Sequence, residues 1–237
     1  MTIVVVTGTS TGVGKTVVTA ALTSLAMSAG HRVAVVKPTQ TGVSAAEPGD
    51  LATVGQLSGC TSLHELVRLD DPLAPDTAAR LRKLSLPKVA SLAARVIEIA
   101  HGHDVTFVEG AGGVAVRLDT AGGTILALAR HLADAGQSPR MLVVTTLALG
   151  TLNHTELTVG AVRAADVEPA GLIVGSVPDR LGLAERCNID ELPRLTGLPV
   201  LGHLPAGAGG FEAARFRGEC ARWLHLGAVL GQPVPGY

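Results

Sequence analysis

The segment Gly8-Thr9-Ser10-Thr11-Gly12-Val13-Gly14-Lys15-Thr16 constrains the fold of this chain more than any other. It follows the β-branched run Ile3 to Val6 and opens a helical pattern from about Gly14 to Ser28. Glycines let the backbone curl so that N–H groups point inward at phosphate oxygens, and the helix N-terminus that follows adds its positive end. In such a loop Lys15 reaches the β- and γ-phosphates and the Thr16 hydroxyl reaches Mg²⁺. The usual spacing puts the first glycine where Thr9 stands here; Gly8 comes one residue earlier, so the loop is one residue longer.

Short apolar runs alternate with helical patterns along the rest of the chain. Val33–Val36, Val105–Val108, Met141–Thr145, Leu172–Val174 and Val200–Leu201 read as further strands, the second stopped by Pro38. Helices are expected over Lys88–His101, Thr124–Ala135 and Asn153–Ala165, and Gly30 is placed to end the first helix. Near-continuous apolar strands are the pattern of a sheet buried on both faces, and strand–helix alternation makes that sheet parallel. The expected fold is α/β: a three-layer, doubly wound, mostly parallel sheet with helices on both faces, of the P-loop type, in one domain spanning 1–237. Residues 38–88 are expected to hold loops and short helices. Phe211, Phe216, Trp223 and Leu226 are expected on a terminal helix, and Gln232–Tyr237 as a loose tail.

Apolar residues are 47% of the chain and charged ones 16%, which excludes whole-chain disorder. With one Trp, one Tyr and three Phe, the core falls to Ala, Val and Leu. The net charge of −1 argues against a nucleic-acid or anionic-membrane binder. Cys60, Cys187 and Cys220 suit neither a disulfide framework nor a zinc knuckle and read as small apolar fillers in a reducing compartment. No basic leader precedes Thr7-Gly8 and no apolar run is long enough to span a membrane, so the expected location is cytoplasmic.

In open α/β sheets, ligands sit outside the carboxyl ends of the strands, and the chemically suggestive residues fall there. Lys37 ends the second strand, where it must surface or meet an anion, because burying it unpaired is costly. Glu109, in Glu109-Gly110-Ala111-Gly112-Gly113 after the third, resembles an acid that helps hold Mg²⁺ beside nucleotide phosphates. Asp50 reads equally as a helix N-cap and as a second metal carboxylate. Gly150-Thr151-Leu152-Asn153-His154-Thr155 opens a helix whose free N–H groups suit a carboxylate. His154 and the turn His101-Gly102-His103 read as structural and surface residues.

Taken together these segments resemble the dethiobiotin synthetases. The resemblance rests on Gly8–Thr16, Lys37-Pro38 with Thr41-Gly42, Glu109–Gly113, Gly150–Thr155 and Pro199-Val200-Leu201-Gly202-His203-Leu204-Pro205, in family order through roughly 2–207. It implies that 7,8-diaminononanoate, CO₂ and MgATP yield dethiobiotin, ADP and phosphate, with Lys37, Lys15 and Thr11 as catalytic groups. It implies nucleotide contacts from Gly12, Val13, Gly14, Lys15, Thr16, Val17, Asp50, Glu109, Gly110, Ala111, Gly112, Gly175, Ser176, Pro205, Ala206 and Gly207. Substrate contacts fall to Thr11, Lys37, Thr41, Gly112, Gly150, Thr151, Leu152 and Asn153, and the metal to Thr16, Asp50 and Glu109. It also implies a homodimer in which Gly150–Asn153 of one subunit serves the other's site.

Many relatives carry an Asn after the fifth strand that reads adenine, whereas this chain has Gly175-Ser176-Val177-Pro178 there, and Asn188 lies too far along. The departure leaves room for another nucleoside triphosphate, such as CTP, beside ATP. The competing readings are a partition-type ATPase, which would carry a lysine where Ser10 stands, and a cobyrinate-type amidoligase, which would need a glutaminase domain that this length does not hold. A non-catalytic nucleotide-binding regulator is the third.

Overall fold

The computed structural model describes residues 1–231; the expected tail Gln232–Tyr237 lies outside them. In chain order the elements are β1 (Thr2–Gly8), α1 (Lys15–Ser28), β2 (Val33–Lys37), β3 (Gln40–Thr41), α2 (Asp50–Ser58), β4 (Leu63–Glu65), β5 (Arg68–Leu69) and α3 (Pro75–Arg82). There follow α4 (Val89–Ala100), β6 (Val105–Glu109), α5 (Ile125–Asp134), β7 (Arg140–Thr145), α6 (Thr151–Ala164), β8 (Glu168–Val177), α7 (Leu183–Thr196), β9 (Val200–Pro205), α8 (Ala213–Trp223) and α9 (Leu226–Val229).

Seven strands form one sheet in the order β4-β2-β6-β1-β7-β8-β9. Every pairing in it is parallel. Each crossover carries a helix to one face, so both faces are covered. Alternate residues divide between two cores. Ile3, Val5, Ala34, Val36, Val108, Met141 and Val143 pack under α4, α5, α6 and α7. Val4, Val6, Val33, Val35, Val105, Phe107, Leu142 and Val144 pack under α1, α2 and α8. This is why the strands read as continuous apolar runs, and why Ala, Val and Leu suffice to fill both layers. Among the described residues no helix is long and apolar enough to cross a membrane.

Local chemistry fixes the ends of these elements. Gly30, at φ 86°, closes α1: its N–H bonds Met27 O, and the next N–H, of His31, bonds Ala26 O. Thr124 caps α5, accepting from the Ala127 N–H. On α8, Phe216 and Trp223 are buried, and Trp223 makes edge contacts with Phe216 at 5.4 Å and Phe211 at 6.0 Å between ring centroids. The expected single terminal helix is met only in part: Phe216 and Trp223 lie on α8, whereas Phe211 precedes it and Leu226 opens the separate short helix α9. The segment 38–88 holds more than loops: β3 and β5 pair as a separate parallel ribbon, and β4 adds an edge strand to the main sheet. Two further expectations need correction. Cys60 and Cys220 are buried fillers, but Cys187 is exposed on α7. Ser176 does not follow β8; the strand runs on to Val177.

The loop between β6 and α5 is built around Asp119. Its carboxylate accepts from the N–H groups of Val89, Ala121 and Gly123 at 2.8–2.9 Å, tying the loop to the start of α4. Desolvation opposes the charge, but the donated N–H groups outweigh it and hold the carboxyl below the usual carboxylate range. The stabilisation is thus present above the unfolded-state carboxylate pKa and is lost as pH falls through the depressed folded value. Replacing Asp119 with Ala leaves three inward N–H groups without this acceptor. The expected loss is about 2–3 kcal/mol, read as a lower denaturant midpoint at neutral pH; an unchanged midpoint would contradict this role.

Candidate active site

Parallel register brings the polar residues together. β1 lies between β6 and β7, and β6 lies between β2 and β1, so the carboxyl ends of β2, β6 and β1 are adjacent. The chain leaves β1 toward β2 on one side and crosses after β6 to β7 on the other, which opens a crevice at these ends. A cleft of ≈ 830 Å³ lies there. Thr11, Gly12, Gly14, Lys15, Thr16 and Val17 line it from the phosphate loop, Lys37 and Thr41 from β2 and β3, Asp50 from α2, and Glu109, Ala111 and Gly112 from the end of β6.

The loop sits where it does because two glycines permit close approaches. A Cβ on Gly8 would stand 2.7 Å from the Val13 side chain, so glycine at the strand end lets the long loop fold back over it without displacing Val13. A Cβ on Gly175 would stand 2.0 Å from the Val13 carbonyl oxygen. The loop therefore rests on the bare backbone of β8.

Val36 pairs with Val108, so the next residues, Lys37 and Glu109, end side by side. Lys37 Nζ lies 2.8 Å from Glu109 Oε1 and 2.5 Å from Asp50 Oδ2, and donates to Gly110 O at 3.2 Å. Of the two outcomes open to this lysine, it meets anions and is buried, at 2% exposure. Burial opposes its charge, but the attraction of Glu109 and Asp50 wins and holds the ammonium above its ordinary value. Thr16 Oγ1 donates to the same Glu109 Oε1 at 2.8 Å. Glu109 Oε2 is buried with no hydrogen-bond partner among the described residues. Lys15 Nζ donates to Ser10 O at 2.8 Å. Burial, then repulsion from Lys37, push its pKa down to about 8, against the pull of Glu109 and Asp50.

Asp50 is not a helix cap. Gly49 occupies the cap position of α2, and the Asp50 carboxylate turns to Lys37. It is positioned by residues that motif reading overlooked. Gln40 Oε1 accepts from the Asp50 N–H at 2.9 Å, and the Arg68 guanidinium holds the preceding loop through Ser44 O and Glu47 O, both at 2.7 Å. Thr39 and the apolar lip Pro72–Pro75 also line the cleft. Gln40 lies between Lys37-Pro38 and Thr41-Gly42, which was its only signal; the lip had none.

Other expected residues stand elsewhere. Val13 is buried beneath the loop, and the Gly110 N–H is engaged by Val6 O at 2.9 Å. Gly175 underlies the loop, while Ser176, Ala206 and Gly207 are exposed and Pro205 half-buried beside them, at the ends of β8 and β9. Asn188 is no part of this area; it is buried and donates to Leu147 O. Gly150, Thr151, Leu152 and Asn153 start α6 outside the cleft lining. The Thr151 hydroxyl is turned inward, bonded to Thr145 Oγ1 and Thr146 O, while the Asn153 and His154 side chains are exposed. His103 bonds Ser62 Oγ and Ile99 O, and His154 is exposed.

Comparison with known proteins bears on this cleft. A family model described as an AAA domain matches residues 2–208. An ATP-dependent dethiobiotin synthetase of Rhodococcus jostii is 52% identical, over 94% of this chain and 95% of its own. One from Streptomyces coelicolor is 46% identical, over 94% and 92%. Among solved structures, the cell division protein MinD of Aquifex aeolicus aligns with a TM-score of 0.57 at 16% identity, over 100% of each chain. A ParA family ATPase of Chlorobium tepidum gives 0.55 at 14%, over 97% of this chain and 96% of that one. The structural likenesses carry the fold alone.

The Gly175 contact makes a sharp test. Gly175→Ala sets a methyl group against the Val13 carbonyl, and the loop must lift. Nucleotide affinity measured by calorimetry is expected to fall at least tenfold, with a lower melting temperature; wild-type affinity would show that the loop does not rest on β8.

Proposed function

The chain belongs to the family of ATP-dependent dethiobiotin synthetases, and from that premise we propose how its cleft closes a ureido ring. The chain is an ATP-dependent cyclo-ligase of biotin synthesis, and the partition-type and amidoligase readings are not favoured. The observation that carries the detailed reading is the convergence of Lys15, Lys37, Asp50, Glu109 and Thr16 on one cleft at the ends of β1, β2 and β6.

The substrates we assign are 7,8-diaminononanoate, CO₂ and ATP. One amine attacks CO₂ and loses a proton to give a carbamate. The γ-phosphoryl group passes from ATP to a carbamate oxygen with ADP as the leaving group, and the second amine attacks the carbamate carbon, losing a proton, expelling phosphate and closing the ring. The difficulty is electrostatic, because carbamate and triphosphate repel each other. Lys15 and Lys37 neutralise the two anions and hold them in line, while Thr11 and Thr41 on the cleft wall supply hydroxyls to the substrate. No protein nucleophile is required.

Mg²⁺ fits the oxygen donors present. Asp50, Glu109 and Thr16 would hold it, and the unpartnered, buried Glu109 Oε2 supports that assignment. When bound, the ion supplies charge neutralisation on the phosphates. For the base, Ser176, Pro205, Ala206 and Gly207 offer a platform of small side chains with no amide group to read adenine. This supports use of CTP beside ATP. The substrates are small molecules, with no nucleic acid or membrane partner, and the enzyme works in the cytoplasm.

The reading includes a homodimer, with Gly150–Asn153 of one subunit holding the substrate carboxylate in the other's cleft. Support comes from apolar surface beside that helix start: Leu149 is 91% exposed and Leu157 67%. Leu149→Asp is expected to shift the sedimenting species from dimer to monomer and to raise KM for the diamine. A dimer with wild-type KM would reject this arrangement.

The reaction itself is tested by mass spectrometry of the products formed from diaminononanoate, bicarbonate and each nucleoside triphosphate. Dethiobiotin is expected with both ATP and CTP, and phosphate release is expected only when both diamine and bicarbonate are present. Lys37→Met is expected to keep nucleotide binding while lowering turnover by roughly 10²-fold or more. Phosphate release without the diamine, or wild-type turnover in Lys37→Met, would overturn the reading.

A further inference from the structure

Lys37 stands in a cluster whose charges balance. Its ammonium contacts Asp50 and Glu109, and Lys15 is the second cation of the same cleft, so two ammonium groups face two carboxylates. The Lys37 and Glu109 side chains are 3% and 0% exposed, so water does little to screen them. These carboxylates are the ones that the proposed function gives to the metal. Thr16, the third donor, already shares Glu109 Oε1 with Lys37. A divalent cation arriving alone therefore meets a pocket without net charge, whose ligands already grip an ammonium group. The Asp50 side chain is 38% exposed, but an ammonium and a dication sharing the fully buried Glu109 would still repel each other. Nucleotide phosphates change the balance: they add several negative charges to the cleft, draw in a dication, and offer Lys15 a partner better than Ser10 O.

We propose that Lys37 is an internal counter-cation that exchanges places with the metal. It fills the cation position between Asp50 and Glu109 and discourages free divalent metal. When metal and phosphates arrive together, its ammonium leaves the carboxylates and turns to the second anion of the cleft, the carboxylated amine. The inference rests on the metal assignment of the proposed function and adds an order of events to it. Lys37 becomes available to the carboxylated substrate only once the charged nucleotide is seated.

The test measures Mn²⁺, a paramagnetic probe, binding to the full chain by electron paramagnetic resonance. Without nucleotide, wild type is expected to bind Mn²⁺ weakly and Lys37→Met at least tenfold more tightly. Lys37→Met combined with Glu109→Gln is expected to return to weak binding. With ADP present, wild type and Lys37→Met are expected to converge. Equal affinity of wild type and Lys37→Met without nucleotide would overturn the exchange. If wild type failed to take up Mn²⁺ even with ADP, the metal assignment itself would fall and the exchange with it, so the two failures are distinguishable. Should circular dichroism show Lys37→Met unfolded, a crystal structure of wild type with Mg²⁺ and a non-hydrolysable ATP analogue decides. Nζ withdrawn from both carboxylates supports the exchange, and Nζ still hydrogen-bonded to both refutes it.

Discussion

The ion pair between Lys37 and Glu109 is the point at which sheet and cleft depend on each other. Each charge depends on the other at this depth; removing one partner of such a pair commonly costs about 3–5 kcal/mol, because the other is left buried with less compensation. Their meeting requires β2 and β6 to be parallel neighbours in one register, with Val36 opposite Val108. A slip of one residue would turn each side chain to the opposite face and strand both charges. The pair thus acts as a register pin, while the apolar residues before it supply the burial that makes the pin effective.

Around that pair the electrostatics are graded by what each lysine touches. Lys37 has carboxylate partners and holds its proton firmly. Lys15, also buried but less deeply, donates to a backbone carbonyl, and its pKa is pushed down to about 8. Two lysines in one cleft therefore differ in readiness. Lys15 gains most from a polyanion, which gives its ammonium an anionic partner, whereas Lys37 already has carboxylates supplied by the fold. The phosphate loop can hold Lys15 in this way because it lies on the bare backbone of Gly175 and curls over Gly8.

Much of this was legible in the sequence, for reasons that vary by element. β1, β2, β6 and β7 declared themselves because strands buried on both faces carry near-continuous apolar runs. β4, which is only Leu63-His64-Glu65, offered no run to detect. α7 was missed because its sequence is polar along most of its length, carries Pro193 and leaves Leu183 exposed. In the cleft, Lys15 and Thr16 followed from local spacing. The union of Lys37, Asp50 and Glu109 depended on register between strands distant in sequence. The parts played by Gln40 and Arg68 depended on a loop with no periodicity at all. Motifs name residues whose function is carried by neighbours in the chain, and they fall silent where function is carried by neighbours in space.

The wall of the cleft that bears Thr41 is made differently from the rest. It hangs on the β3–β5 ribbon, which has two rungs, Gln40 opposite Arg68 and Thr41 opposite Leu69, whereas the floor is continuous with seven strands. At about 1 kcal/mol per net hydrogen bond, such a ribbon adds far less pairing energy to its wall than the seven-stranded sheet adds to the floor. The jaw carrying Thr41 hangs on two rungs, while the anvil of β1, β2 and β6 fixes the backbone from which Lys37 and Glu109 project.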